Sequence, residues 1–222
     1  MRTTIPRLPA VGLLAVLLLT TSVATAGPIT IGSPATGSNS YPFGSHNWYQ
    51  QVYAASSFPG VLTISGVTFF ETLATGGRFT DAVYTLSLST TSKSVNGLDL
   101  TNLNNNVGAD STVVFSGHLS GVPDSSILLG GSGLFVYDPA LGNLLLDIQF
   151  SSIGRGGSLF LDARYGDSGG LFSRAIVSGT GFDNSGLVTR FEDANSAPVP
   201  EPASLLLFGT GVVGLRAWRK RR

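Results

Sequence analysis

The chain has 222 residues and a formal net charge of zero, which hides an uneven distribution of charge. Seven of the 13 basic residues lie in the two terminal segments, so residues 27–199 hold six basic and twelve acidic side chains, a net charge of −6. We expect no nucleic-acid partner, because phosphate binding requires clustered Lys and Arg. The chain has no cysteine, which excludes disulfides, thiol catalysis and cysteine-based zinc sites, and we expect no cofactor.

Residues 1–26 are predicted to be a secretory signal peptide. Arg2 and Arg7 precede an apolar run over residues 10–19, and Ala24-Thr25-Ala26 is a small-residue cleavage motif. A membrane anchor is the alternative, but about ten apolar residues are too few to span a hydrocarbon core of roughly 30 Å. We therefore expect the export machinery to carry the chain across a membrane.

Residues 27–194 are predicted to form one all-β ectodomain, an antiparallel β-sandwich of jelly-roll type. After a loop-rich edge over residues 27–51, apolar and polar side chains alternate with period two in segments 84–89 and 144–150. Glycine-rich and serine-rich turns separate the runs, which favours a sandwich over alternating helices and strands. The only helical candidate is the polar segment 95–106. Further candidate strands are residues 61–70, 112–119, 126–137, 158–163, 174–178 and 187–191.

Residues 195–202 are rich in proline and are predicted to be an extended spacer. The apolar segment that begins at residue 203 and ends at residue 217 would form a helix of about 22 Å, shorter than a hydrocarbon core of roughly 30 Å. Residues 203–222 are therefore predicted to be a marginal transmembrane helix with a basic tail. The positive-inside rule places the cluster of Arg216, Arg219, Lys220, Arg221 and Arg222 in the cytoplasm.

The order of these C-terminal features resembles the PEP-CTERM sorting signal of Gram-negative bacteria. Pro200-Glu201-Pro202 precedes a glycine-containing apolar segment and an arginine-rich end, and the resemblance covers residues 199–222. It implies processing by an exosortase near that tripeptide, transient residence in the inner membrane and release to the cell envelope, the surface or beyond, often in cells that make exopolysaccharide and biofilm. The alternatives are a plain single-span anchor and a lipid-anchor signal, which normally lacks a basic end.

The segment Gly166-Asp167-Ser168-Gly169-Gly170 matches the nucleophile loop of trypsin-like serine proteases. Such a triad also needs a histidine, and the chain offers only His46 and His118, neither in the sequence context typical of those enzymes. Only about 28 residues separate Gly170 from Pro198, too few for the usual second barrel. We favour a polar turn and expect no catalytic residue.

Three aspartates, Asp162, Asp167 and Asp183, form the nearest approach to a calcium site. No aspartate shows the spacing of an EF-hand loop, so we favour solvated turn carboxylates and expect no metal.

Aromatic residues between positions 41 and 53 are candidates for a platform on which sugar rings stack. We favour a role in the core or at the edge of a sheet and keep carbohydrate binding as the alternative. The candidates are Tyr41, Phe43, Trp48, Tyr49 and Tyr53.

The leading expectation is an exported, non-enzymatic protein of the cell surface or extracellular matrix, with exopolysaccharide as a candidate partner. A carbohydrate-binding module is the alternative, and a serine hydrolase that uses Ser168 is third.

Overall fold

The computed structural model describes residues 27–35, 37–39, 42–43, 46–73, 76–152, 157–166, 170–176 and 185–196. The predicted signal peptide and sorting tail lie outside these ranges. In the part that is described, no helix has the length and apolar character needed to cross a membrane.

The described residues form β-strands with two short 3₁₀ helices, Ala55–Ser57 and Leu103–Asn106. The strands in chain order are β1 (Ile29–Ile31), β2 (Ser38–Asn39), β3 (Trp48–Tyr53), β4 (Leu62–Phe70), β5 (Ala82–Thr91), β6 (Thr112–Leu119), β7 (Ser126–Tyr137), β8 (Asn143–Ser152), β9 (Leu161–Arg164), β10 (Phe172–Ile176), β11 (Gly186–Leu187) and β12 (Thr189–Asp193).

The described strands pair antiparallel in three sheets. The five-stranded sheet has the order β10-β3-β8-β5-β6, the four-stranded sheet β1-β12-β4-β7, and the small sheet β11-β9-β2. The prediction of an antiparallel all-β domain is therefore confirmed.

The core lies where the two larger sheets meet in a single cluster of buried side chains. Tyr84, Leu86 and Leu88 of β5 belong to the same cluster as Ile64 of β4 and Phe191 of β12. Alternate residues of a strand point to opposite faces, so the period-two pattern of β5 places its apolar side chains on this inner face.

Two local predictions were wrong. Segment 27–51 is not only loop, because it contains β1, β2 and the first part of β3, which lies between β10 and β8. Segment 95–106 forms only the 3₁₀ helix Leu103–Asn106. The Asp99 carboxylate accepts hydrogen bonds from the backbone N–H groups of Thr101 and Asn102, and such local bonds compete with an α-helix.

The connection between β5 and β6 covers one end of the outer face of the five-stranded sheet. We call residues 92–107 the cover segment. Its Leu98 and Leu103 pack in a second, smaller cluster on Val52, Leu145 and Ala175, which belong to β3, β8 and β10. The other end of the same outer face carries mainly polar side chains.

The last described strand closes with a compact turn. The Ala194 N–H donates to the Thr63 carbonyl at 2.7 Å, and the Ser196 N–H donates to the Asp193 carbonyl at 3.1 Å. The Asn195 N–H donates to the Asp193 carboxylate at 3.0 Å. Hydrogen bonding of the chain to the sheet therefore continues to residue 196.

Candidate functional site

A groove occupies the open end of the outer face of the five-stranded sheet. Its cavity volume is about 390 Å³, within the range of about 300–1,000 Å³ that is typical of small-molecule sites. The residues that carry its chemistry are Trp48, Thr85, Ser87, Asp147 and Gln149.

The register of three neighbouring strands assembles this groove. Trp48 of β3 lies opposite Gln149 of β8, and Gln149 lies opposite Thr85 of β5. Ser87 lies opposite Asp147 one pleat further along. Partners across a strand pair point to the same face, so these five side chains share the outer face although they come from distant parts of the sequence.

Asp147 is the central carboxylate of the groove and is largely buried. Its Oδ1 accepts a hydrogen bond from Trp48 Nε1 at 2.6 Å, and its Oδ2 accepts one from Gln149 Nε2 at 3.2 Å. Burial raises the pKa of Asp147, and the hydrogen bonds from Trp48, Gln149 and Gln50 only partly oppose this effect. The carboxylate thus fixes the orientation of the indole ring.

The cover segment is joined to the floor of the groove through Gln50. Gln50 Nε2 donates to the Leu103 carbonyl at 3.0 Å, and Asn106 Nδ2 donates to Gln50 Oε1 at 2.8 Å. Asn106 in turn accepts a hydrogen bond from the Asp99 N–H at 2.6 Å. Gln50 lies directly opposite Asp147, so these bonds support the buried side of the site.

Asp99 organises the loop that precedes the 3₁₀ helix. Its carboxylate accepts hydrogen bonds from Asn105 Nδ2 and Thr101 Oγ1, both at 2.7 Å. These bonds, together with those from the backbone of Asn102 and Thr101, hold the pKa of Asp99 well below its usual range. The cover segment therefore has a hydrogen-bond framework of its own.

The structure separates the predicted aromatic platform into core and surface residues. Phe43, Tyr49 and Tyr53 are fully buried, which confirms the favoured core role for these three. Trp48 is half-buried and lines the groove. Tyr41 lies outside the described residues. An aromatic platform built from all five side chains is therefore wrong. Of the described candidates only Trp48 lines the groove, where Phe150, which was not a candidate, is a second aromatic lining residue.

The described part of the protease motif and His118 lie at opposite edges of the five-stranded sheet. His118 Nε2 lies 2.6 Å from the Asp81 carboxylate, and both side chains are about half exposed. His118 is on β6, whereas the motif is followed by β10 at the opposite edge. Four strand spacings of about 4.8 Å separate these edges by about 19 Å. His46 precedes β3, and Ser168 lies outside the described residues.

Asp162 differs from the sequence-based expectation, since it is a buried carboxylate and not a solvated one. Its Oδ1 accepts a hydrogen bond from the Thr72 N–H at 3.0 Å, and its Oδ2 accepts bonds from Thr72 Oγ1 at 2.7 Å and the Ala35 N–H at 3.1 Å. It therefore joins two loops to β9. Asp167 and Asp183 lie outside the described residues, among which no group of three or more potential metal ligands occurs.

Sequence reasoning did not assign Asp147 or Gln149 to a site, although their alternation predicted that both point away from the core. The signal that could have found them is an acidic residue inside an otherwise apolar strand, with Gln149 two positions later on the same face. Only the structure shows that Asp147 belongs to a site, because β3 places the indole N–H of Trp48 beside its carboxylate.

Comparison with known proteins identifies the C-terminal segment. Residues 198–222, about a ninth of the chain, match the family model of the PEP-CTERM protein-sorting motif. No curated protein and no solved structure matches the chain. The match includes the Pro-Glu-Pro tripeptide and the basic end, and it supports export and sorting by an exosortase. The chain therefore carries a PEP-CTERM protein-sorting motif at residues 198–222.

Proposed function

We propose that this protein is a non-enzymatic component of the cell surface or extracellular matrix that acts by binding. The observation that carries the proposal is the sorting motif at residues 198–222. In this scheme residues 1–26 direct the chain to the export machinery, and residues 203–222 hold it transiently in the inner membrane. Exosortase then cuts near Pro200-Glu201-Pro202 and passes the domain to the envelope, where exopolysaccharide is the candidate partner.

The chemistry of the groove supports binding over catalysis. Among the described lining residues Asp147 alone is charged, and both of its carboxylate oxygens already accept hydrogen bonds from neighbouring side chains. Hydrolysis of a glycosidic bond commonly requires two carboxyl groups about 5 to 9.5 Å apart. The described lining offers neither a second carboxylate nor a histidine, lysine or cysteine.

The proposal includes a jelly-roll-like sandwich for the exported domain. Antiparallel pairing throughout the described strands and one core shared by the two larger sheets support this arrangement. A rigid sandwich suits a surface protein, because it presents one sheet face to partners while the other face forms the core.

The intact mass of the form recovered outside the cytoplasm tests the sorting proposal. We expect the loss of residues 1–26 together with a cut at or near Pro200-Glu201-Pro202. Replacement of this tripeptide by three alanines should leave the tail attached, whereas Ser196→Ala, just outside the matched segment, should be processed normally. A mature form that still ends in Arg222 would overturn the proposal.

The serine-hydrolase alternative has its own test. A fluorophosphonate probe that reacts with activated serines should leave the mature protein unlabelled, as it should the Ser168→Ala variant. Labelling that Ser168→Ala abolishes would show an activated nucleophile and would refute the non-enzymatic role.

A further inference from the structure

We propose that the groove of Trp48, Thr85, Ser87, Asp147 and Gln149 binds an uncharged pyranose ring of a saccharide. The inference rests on the proposed function in that it names the ligand class of a domain that acts by binding. It assigns the binding site to the open end of the five-stranded sheet and not to the aromatic cluster that the sequence suggested.

Trp48 supplies the apolar surface of the site. It packs against the small cluster beneath the cover segment while it also lines the groove. The bond from its indole N–H to Asp147 prevents the ring from rotating freely. An aromatic ring held in this way offers a preorganised surface to the C–H groups of a sugar, so little side-chain entropy is lost on binding.

The polar side chains around Trp48 match the hydroxyl groups of a sugar. Thr85 and Ser87 carry hydroxyls, and Gln149 carries an amide, so each can both donate and accept hydrogen bonds. Sugar hydroxyls have the same dual character. Gln149 is exposed, and its partners in register on β3 and β5 are Trp48 and Thr85. An amide therefore stands between the aromatic ring and a hydroxyl, which orients a ligand that rests on Trp48.

The charge of the described groove lining selects against anionic ligands. Asp147 is the only charged residue in the described part of the lining, so phosphate, sulfate and uronate groups would meet its carboxylate and no cation there. A calcium ion takes six to eight oxygen ligands, whereas Asp147 is the only carboxylate in the described lining and already accepts bonds from Trp48 and Gln149. A neutral ring with several hydroxyl groups is the ligand class that fits this lining.

The test is titration of the full-length chain, purified in an amine-oxide detergent that has no sugar headgroup. The probes are neutral oligosaccharides of glucose, mannose, galactose or xylose, with oligomers of galacturonic acid and of glucosamine as charged comparisons. We expect saturable binding of at least one neutral series and weaker binding of the galacturonic acid series. Binding of the charged series alone, or of none, would overturn the proposal.

Three variants locate the binding. Trp48→Ala should weaken affinity at least about tenfold, and Gln149→Ala, at an exposed position, should weaken it severalfold. Leu134→Ala removes an exposed apolar side chain from β7 and should change nothing. Unchanged affinity in Gln149→Ala would refute the site. Unchanged affinity in Trp48→Ala would also refute it, provided that this variant unfolds at the same temperature as wild type.

The two proposals fail in different ways. If the protein is processed and reaches the envelope but binds no neutral saccharide, the ligand assignment is wrong and the sorting proposal stands. If the chain binds the saccharide but retains Arg222 outside the cell, the sorting proposal is wrong and the groove assignment stands.

Discussion

Replacement of Gln51 by leucine should destabilise the domain strongly although the two side chains are similar in size. Gln51 lies in β3 and is fully buried. Its Nε2 donates to the Leu187 carbonyl at 3.0 Å, and its Oε1 accepts from the Leu187 N–H at 2.8 Å. Tyr49 Oη donates to the same Oε1 at 2.5 Å. The side-chain amide therefore replaces a peptide group and joins the five-stranded sheet to β11.

The magnitude follows from the three hydrogen bonds that leucine removes. Each bond contributes about 1 kcal/mol to the free energy of unfolding, and a buried donor that loses its acceptor costs about 1–3 kcal/mol. The Leu187 carbonyl still accepts from Thr189 Oγ1, so the main penalty falls on the Leu187 N–H. We expect a loss of about 3–4 kcal/mol. For a domain of this size that loss lowers the midpoint of thermal unfolding by about 6–16 °C.

Urea and thermal unfolding of the purified chain measure this effect. The matched control is Gln149→Leu, the same substitution at an exposed position of the neighbouring β8, which removes one hydrogen bond to Asp147 and should cost about 1 kcal/mol. If Gln51→Leu also lay within 1 kcal/mol of wild type, the inference that the buried amide completes the backbone hydrogen bonding of β11 would be wrong.

Three further predictions concern other buried groups. Because burial raises the pKa of Asp147, the folded chain loses stability as the pH rises through that pKa. In thermal unfolding, the stability of Asp147→Asn relative to wild type should therefore increase between about pH 3 and pH 7. A stability difference that stays constant or decreases over this range would contradict the raised pKa. Asp162→Ala removes three hydrogen-bond acceptor contacts from two loops and should cost about 2–4 kcal/mol in urea unfolding, whereas a cost below 1 kcal/mol would show that these loops are held otherwise. Gly157→Ala would place a Cβ 2.3 Å from the Thr80 nitrogen and should destabilise by more than about 2 kcal/mol, while Gly60→Ala, with open space around it, should be nearly neutral; equal effects would refute the close approach.

The strands that the sequence predicted most clearly are those with one uniformly apolar face. In β5 and β8 every second residue enters the core, so period two is visible without any knowledge of partners. In β3 the buried residues include Gln50 and Gln51, whose amides are satisfied by the cover segment and by β11. From the sequence alone, a polar residue is expected to be exposed, even where a distant partner allows its burial. This is why β3 was not predicted as a strand.

The groove could not be predicted from the sequence, because its residues are also brought together only by distant partners. Trp48 and Asp147 are 99 positions apart, and only the register between β3 and β8 brings the indole N–H to the carboxylate. A shift of one residue in that register would turn Trp48 toward the core. Likewise Asp162 resembles a turn aspartate until the two loops that donate to it are known. By contrast, the sorting motif is contiguous, and the sequence alone predicted it.

The turn that follows β12 limits the distance between the folded domain and the proposed cleavage site at Pro200-Glu201-Pro202. Among the described residues, the last hydrogen bond to the sheet is made by Ser196, and the matched motif begins at residue 198. A chain extends at most about 3.6 Å per residue, so Pro202 lies no more than about 22 Å from that turn. A protease embedded in the membrane would therefore cut the chain close to the folded sheet. A cut within the tripeptide would leave a stub of at most six residues, too short to entangle neighbours or to offer a soluble protease an extended substrate.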